Sequence, residues 1–124
     1  MSQRARVQTF NFVLAVPDAM KTARWWVDQM GFDGLQDLGG WVFVRRDGFE
    51  VMLGSCPDAL PVPDLGDHQY FGYITLDDID AYYAEIASNA VDFIKTPRDE
   101  EWGMREFAVR TPDGHRVMFG QELR

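Results

Sequence analysis

The residue best suited to chemistry in this sequence is a tryptophan next to a run of acids. Trp102 follows Asp99-Glu100-Glu101 in a stretch without periodicity, where an indole has little reason to be core. A flat indole stacks on planar rings and attracts cations, and Glu100 and Glu101 beside it favour a positively charged guest. Trp41, Phe43 and Tyr70 are further aromatic candidates for a ligand wall, with ordinary strand core as the alternative. His68, in a proline-rich stretch, and His115, beside a turn, have no partner at metal-ligand spacing and read as surface or loop histidines. Cys56, the lone cysteine, has nothing near it to lower its pKa and reads as an ordinary small residue. No Ser-His-Asp or Cys-His grouping, Gly-rich phosphate loop or His-Glu-x-x-His pattern is present. These residues suit recognition better than bond-making.

A duplicated unit must position them. Asp47-Gly48-Phe49-Glu50-Val51-Met52-Leu53-Gly54 recurs as Asp113-Gly114-His115-Arg116-Val117-Met118-Phe119-Gly120, identical at five of eight positions. In the first unit Val7 to Val16 reads as a strand and Asp18 caps a helix from about Ala19 to Met30. That helix carries an apolar stripe of Ala23, Trp26, Val27 and Met30 and stops at Gly31. Leu35 to Leu38 offers a short strand, and strands Gly40 to Arg46 and Phe49 to Leu53 join through an Asp47-Gly48 turn. The second unit repeats the order. Strand Tyr70 to Leu76 leads to a helix from Ile79 to Ser88, with Ile79, Tyr82, Tyr83 and Ile86 on one side. A short strand near Val91 to Ile94 follows, then a loop to Trp102, and strands Arg105 to Arg110 and Arg116 to Gln121. Adjacent Trp25 and Trp26 diverge by about 100° on a helix, so Trp26 is core and Trp25 faces the sheet edge or a dimer partner. Ser55 to His68 is a connector. The chain is thus α+β, one domain of two βαβββ units at about 7–54 and 69–121, joined by 55–68.

Composition bounds the partners. A chain of 124 residues, 46% hydrophobic and 26% charged, makes one compact domain and excludes wholesale disorder. Twelve Lys and Arg against twenty Asp and Glu give a net charge of −8, which disfavours nucleic acid and anionic membrane. The densest basic spots are only Arg45-Arg46 and the Arg4/Arg6 pair. A lone cysteine makes no internal disulfide, the first six residues show no apolar signal core, and no apolar run approaches the ~20 residues of a membrane span. A reducing cytoplasm is the expected compartment.

Three segments carry a family resemblance: Val16-Pro17-Asp18 running on to Arg24-Trp25-Trp26-Val27-Asp28-Gln29-Met30-Gly31-Phe32, then Trp102-Gly103-Met104-Arg105-Glu106-Phe107, then Pro112-Asp113-Gly114. On these the chain resembles the glyoxalase/bleomycin-resistance/extradiol-dioxygenase superfamily of vicinal oxygen chelate proteins. The Trp102 segment is similar to the bleomycin-resistance branch. The resemblance implies tandem βαβββ modules whose sheets curve into an open cup, in a homodimer, with Trp102 lining the ligand groove at the dimer interface.

Metal-using members of the family hold a His, Gln or Glu early in each unit's first strand and a Glu in each last strand. Carried onto this sequence, those positions are Asn11, Met52, Phe71 and Met118. A phenyl ring has no lone pair and a thioether suits copper(I) better than Zn²⁺, Mn²⁺ or Fe²⁺, so neither metal nor cofactor is expected. By strand parity Val13 and Tyr73 join the same floor, which is either an apolar ligand pocket or simply core. Glu50 shares a face with Met52 and is either an ion-paired surface group or a cup-rim contact; Arg116 and Met118 stand in the same relation.

The expected function is that of a metal-free binding protein, resembling bleomycin-resistance proteins, that sequesters an aromatic or cationic small molecule. Its candidate ligand residues are Trp102, Trp41, Phe43, Tyr70, Tyr73, Met52, Met118, Phe71, Asn11 and Glu50, with no catalytic residues. The alternative is a metal-dependent lyase, isomerase or dioxygenase on the same scaffold, its metal held by Glu50 with His68 or His115 from a second copy.

Overall fold

The computed structural model describes residue 4 and residues 8–65 and 70–124, so the readings placed on Arg6, Val7 and His68 lie outside the described residues. The first unit comprises β1 (Phe12–Val16), α1 (Ala19–Asp28), β2 (Gly34–Asp37), β3 (Trp41–Arg46) and β4 (Phe49–Ser55). The second comprises β5 (Tyr70–Thr75), α2 (Ile79–Ile86), β6 (Asp92–Asp99), β7 (Met104–Arg110) and β8 (Arg116–Glu122). Each unit is βαβββ, with sheet orders β1-β4-β3-β2 and β5-β8-β7-β6. The first-to-last strand pair is parallel in both, and the remaining pairs are antiparallel.

The same local chemistry builds both units. Asp18 accepts a hydrogen bond from the Lys21 amide at 3.2 Å, and Asp78 accepts one from the Ala81 amide at 3.0 Å, capping each helix. Asp47 takes φ 51°, which a tight β3–β4 turn demands and an aspartate tolerates. Alternate strand residues then face the helices: Leu14 and Val16, Val42 and Val44, Val51 and Leu53 are all buried against Ala19, Ala23 and Trp26 of α1. In the second unit Phe107, Val109, Val117 and Phe119 pack with Ile79, Tyr82 and Ile86 in the same way.

One aromatic cluster joins the two units. The Trp26 ring meets Phe32 at 4.9 Å, Phe49 at 5.9 Å and Phe71 at 6.2 Å. Phe49 reaches Phe119 across the unit boundary at 6.4 Å, and Phe119 stacks on Phe107 at 5.1 Å. Polar bonds lock the seam. The Tyr82 hydroxyl donates to the Met30 carbonyl at 2.8 Å, Arg46 grips Glu85 through two hydrogen bonds, and the Thr22 hydroxyl donates to Asp113. Trp25 donates from its indole to the Ala90 carbonyl at 3.1 Å, so it faces its own second unit. No described helix is long and apolar enough to cross a membrane.

Two expectations need correcting. First, β6 does not stop near Ile94 but continues to Asp99, so most of the expected loop to Trp102 is strand. Pro97 sits within it because β6 is the edge of its sheet, where a missing N–H costs no ladder bond. Second, Phe71 leaves the expected cup floor. A register irregularity between Tyr70 and Gly72 turns its ring into the seam against Phe12 and Trp26. His115 lies in the loop before β8 and is half-buried: its ring is 6.3 Å from Phe71, and its Nδ1 is buried with no partner among the described residues.

Burial holds the His115 pKa below its ordinary 6.5, against a smaller opposing effect of Asp113. A depressed imidazole pKa means the unfolded chain takes up the proton first. Its contribution to stability is therefore complete above about pH 6.5 and is lost as pH falls from there toward the folded value. We expect denaturant midpoints of the native chain to drop between pH 7 and 5, and His115→Gln to flatten that slope.

Candidate functional site

On each sheet the face away from the helices carries most of the candidate residues. In the first unit Val13, Met52 and Phe43 form a row across β1, β4 and β3. In the second, Tyr73, Met118 and Ala108 form the equivalent row across β5, β8 and β7. Met52 and Met118 are thus repeat mates at the middle of each open face. Trp41 and Tyr73 remain 44% and 45% exposed, although both are large rings on strands. Each lies over the glycine that closes its repeat. A Cβ on Gly54 would come within 3.1 Å of the Trp41 ring, and one on Gly120 within 2.1 Å of the Tyr73 hydroxyl. The duplicated terminal glycine is therefore a seat for an aromatic ring. Replacing Gly120 by Ala should displace Tyr73 at a cost of roughly 1–3 kcal/mol, whereas Gly54→Ala should cost less than about 1, as thermal melts would resolve.

The most developed arrangement centres on a residue that sequence reasoning did not select. Glu106 of β7 is only 3% exposed, yet its carboxylate gathers three donors. Oε2 accepts from the Tyr73 hydroxyl at 2.6 Å and from the Trp102 indole N–H at 3.1 Å, and Oε1 accepts from Lys95 Nζ at 2.9 Å. Burial pushes the Glu106 carboxyl up, but the bonds from Tyr73, Lys95 and Trp102 outweigh it and hold it below the usual range. Burial, and then the bond to Glu106, push the Tyr73 phenol above its ordinary value, so it stays a donor. The sequence signal for Glu106 is its place in the Trp102-Gly103-Met104-Arg105-Glu106 segment, on the opposite parity to buried Phe107 and Val109.

Trp102 stands on this base. The β6–β7 turn closes through Gly103 at φ 85°, and the indole projects with 61% of its surface open. Tethering the N–H while leaving the ring free makes an oriented platform, with Lys95 Nζ 5.8 Å from the ring centroid. The acidic run beside it is partly tied up in ion pairs. Asp99 binds Arg105 at 2.9 Å, and Glu100 accepts from Lys95 at 3.1 Å and Arg98 at 2.7 Å with its side chain 7% exposed. Arg98 and Lys95 hold the Glu100 carboxyl below its ordinary range. Its charge is therefore committed to them, which removes it as the expected lure for a cation. Glu101 remains exposed.

The other candidates are placed as follows. The Asn11 amide, oriented by its network, donates to Glu50 Oε1 at 3.0 Å and to the Phe10 carbonyl at 2.9 Å. Glu50 has Arg45 at 4.0 Å. Tyr70, 39% exposed, pairs with Arg116 at the start of β5. Among the described residues, no hydrogen bond, ion pair or ring contact joins the Trp41–Phe43–Met52 face to the Tyr73–Trp102–Met118 face.

The four positions that would hold a family metal do not fit one. Asn11 is committed to Glu50, Phe71 lies in the seam, and Met52 and Met118 offer thioethers. Among the described residues no three His, Cys, Asp or Glu side chains converge.

Residues 8–119 match the Glyoxalase/Bleomycin resistance protein/Dioxygenase superfamily. The chain belongs to this superfamily. It is 30% identical over 95 residues to the uncharacterized protein YetH of Bacillus subtilis strain 168, covering 71% of this chain and 77% of that one. Among solved structures it is similar to the bleomycin resistance determinant encoded on transposon Tn5, with TM-score 0.74, 21% identity, and 94% and 98% of the two chains covered. It is likewise similar to a bleomycin-binding protein in complex with bleomycin, with TM-score 0.72, 22% identity, and 94% and 99% covered. At these identities the structural likeness establishes the shared fold, and the site must be argued from its own residues.

Proposed function

We propose that the protein binds and sequesters a small planar aromatic molecule, neutral or cationic, without a metal, on the Trp102–Tyr73 face. The observation that carries this reading is the Trp102 indole, whose N–H is fixed by buried Glu106 while 61% of its surface stays open. Indoles held this way in a fixed pose lose little freedom on stacking, so binding energy is retained. Glu106 and Glu100 are offset by Lys95 and Arg98, so attraction for a cation falls to the ring face and the overall charge of −8. The open faces bearing Trp41 and Trp102 each form one wall. A second copy supplying the opposite wall would close the cleft, which makes a homodimer the binding unit. The free Cys56 and the absence of a disulfide fit a reducing cytoplasm.

A protein of the same fold is bound to bleomycin, which makes that drug the first probe. Titrating metal-free bleomycin while following tryptophan fluorescence should give saturable quenching at micromolar drug. A linear response with no saturation in that range would contradict the reading.

A further inference from the structure

A second candidate cleft lies apart from the Trp102 platform. A cleft of about 380 Å³ opens where the two units meet, within the range of small-ligand sites. Its walls are the aromatic seam: Phe12, Phe32, Phe49, Tyr82 and Phe119, with Phe10 at the mouth. Of the open-face candidates, Tyr73 and Glu50 border it, whereas Trp41, Phe43, Met52, Trp102 and Met118 do not.

The rings are arranged as a cage. Phe12 meets Phe49 edge-on at 5.6 Å, Phe32 meets Phe49 at 5.3 Å, and Tyr82 meets Phe119 at 5.2 Å. Phe10 packs edge-on against Phe12 at 6.1 Å while keeping 74% of its surface open. Three charged residues share the cleft, and they are not equivalent. Arg46 is spent: it binds Glu85 at 2.5 and 2.9 Å and the Gly31 carbonyl at 2.9 Å, with its guanidinium 4.7 Å over the Tyr82 ring. Glu50 is different. Its side chain is 23% exposed, and Oε1 takes only the neutral Asn11 amide. The one cation beside it among the described residues, Arg45, is 4.0 Å away, beyond hydrogen-bond reach, and is 62% exposed. Asp47 adds a second carboxylate at the mouth with no described ion pair.

An apolar cage ending in an under-partnered carboxylate suits an ammonium on a short hydrophobic body. The aromatic faces attract the cation, and Glu50 gives it a charge-assisted bond. An anion would meet Glu50 and Asp47, and a neutral analogue would leave Glu50 as it is. We infer that this inter-unit cleft binds a small arylalkyl amine, with the ammonium on Glu50 and the ring among Phe10, Phe12 and Phe49. This site shares Tyr73 with the Trp102 face but not Trp102 itself, so Glu50→Gln and Trp102→Ala separate failure of one from failure of the other.

The test uses 2-phenylethylamine, with 2-phenylethanol and 3-phenylpropionate as neutral and anionic isosteres. Calorimetry on the full chain should show saturable amine binding with a dissociation constant below about 1 mM. The alcohol should bind at least about fivefold more weakly and the acid not measurably. Glu50→Gln, which keeps shape and removes charge, should weaken the amine about tenfold. Phe10→Ala, at an exposed position, should weaken it severalfold with the fold intact. In an amide spectrum the amine should move Asp47, Gly48 and Thr75 and leave the Trp102 indole N–H in place. Equal binding of all three isosteres, no saturation, an unchanged Glu50→Gln affinity, or shifts at Trp102 without shifts at Gly48 would each overturn the assignment.

Discussion

Trp102→Ala is expected to weaken binding of a planar aromatic ligand by about 30-fold or more, while leaving the melting temperature nearly unchanged. The affinity loss follows from its position. A tryptophan at the centre of a ligand contact commonly costs about 2 kcal/mol or more on truncation. The stability side follows from exposure. With 61% of its surface open, Trp102 buries little area in the free chain, and what it loses is one bond to Glu106. Fluorescence titration and a thermal melt of the same variant separate the two effects. An unchanged affinity would remove Trp102 from the site.

Changing Glu106 should do more damage because it supports everything around it. Tyr73 of β5, Lys95 of β6 and Trp102 of the β6–β7 turn share a single carboxylate. In Glu106→Gln one acceptor oxygen replaces two, and the amide N–H₂ is turned toward Lys95 or Trp102, which can only donate. We expect a loss of roughly 1–3 kcal/mol of stability together with about tenfold weaker ligand binding. A role confined to stability would leave the Trp102 indole N–H signal where it is. Positioning predicts that this signal moves to a solvent-exposed value while the backbone spectrum is retained. The carboxyl pKa lies below its ordinary 4.5, so this support is complete above that value and is lost as pH falls through the folded pKa. Ligand binding should weaken in acid over the same window.

The duplicated sequence made much of this architecture readable. Asp47 to Gly54 and Asp113 to Gly120 are matching last-strand hairpins, and their shared spacing places Met52 and Met118 at corresponding points of two open faces. Asp18 and the Asp77-Asp78 pair marked both helix starts, and Asp18 and Asp78 are the residues that cap them. Local pattern failed where a longer-range fact decided. Thr96-Pro97-Arg98 looks like a loop, and only the edge position of β6 allows a strand there. Counting along a regular strand puts Phe71 in the cup, but one irregularity at Tyr70–Gly72 reverses its side. Gly72 also admits the Phe12 ring, since a Cβ there would stand 3.1 Å from it.

The site itself was half legible. Trp102 stood out because no periodic segment claimed it, and it is open as expected. Glu106 stayed hidden because its partners lie 33, 11 and 4 residues away, and only folding brings them together. Glu100 is hidden from sequence reasoning for the same reason, because Lys95 and Arg98 reach it from the C-terminal part of β6.

The central claim is recognition that needs no metal. Its most direct test is calorimetric titration of metal-free bleomycin into the chain before and after exhaustive chelation. The same saturable isotherm is expected in both samples. Binding that disappears on chelation and returns with a transition metal would contradict it.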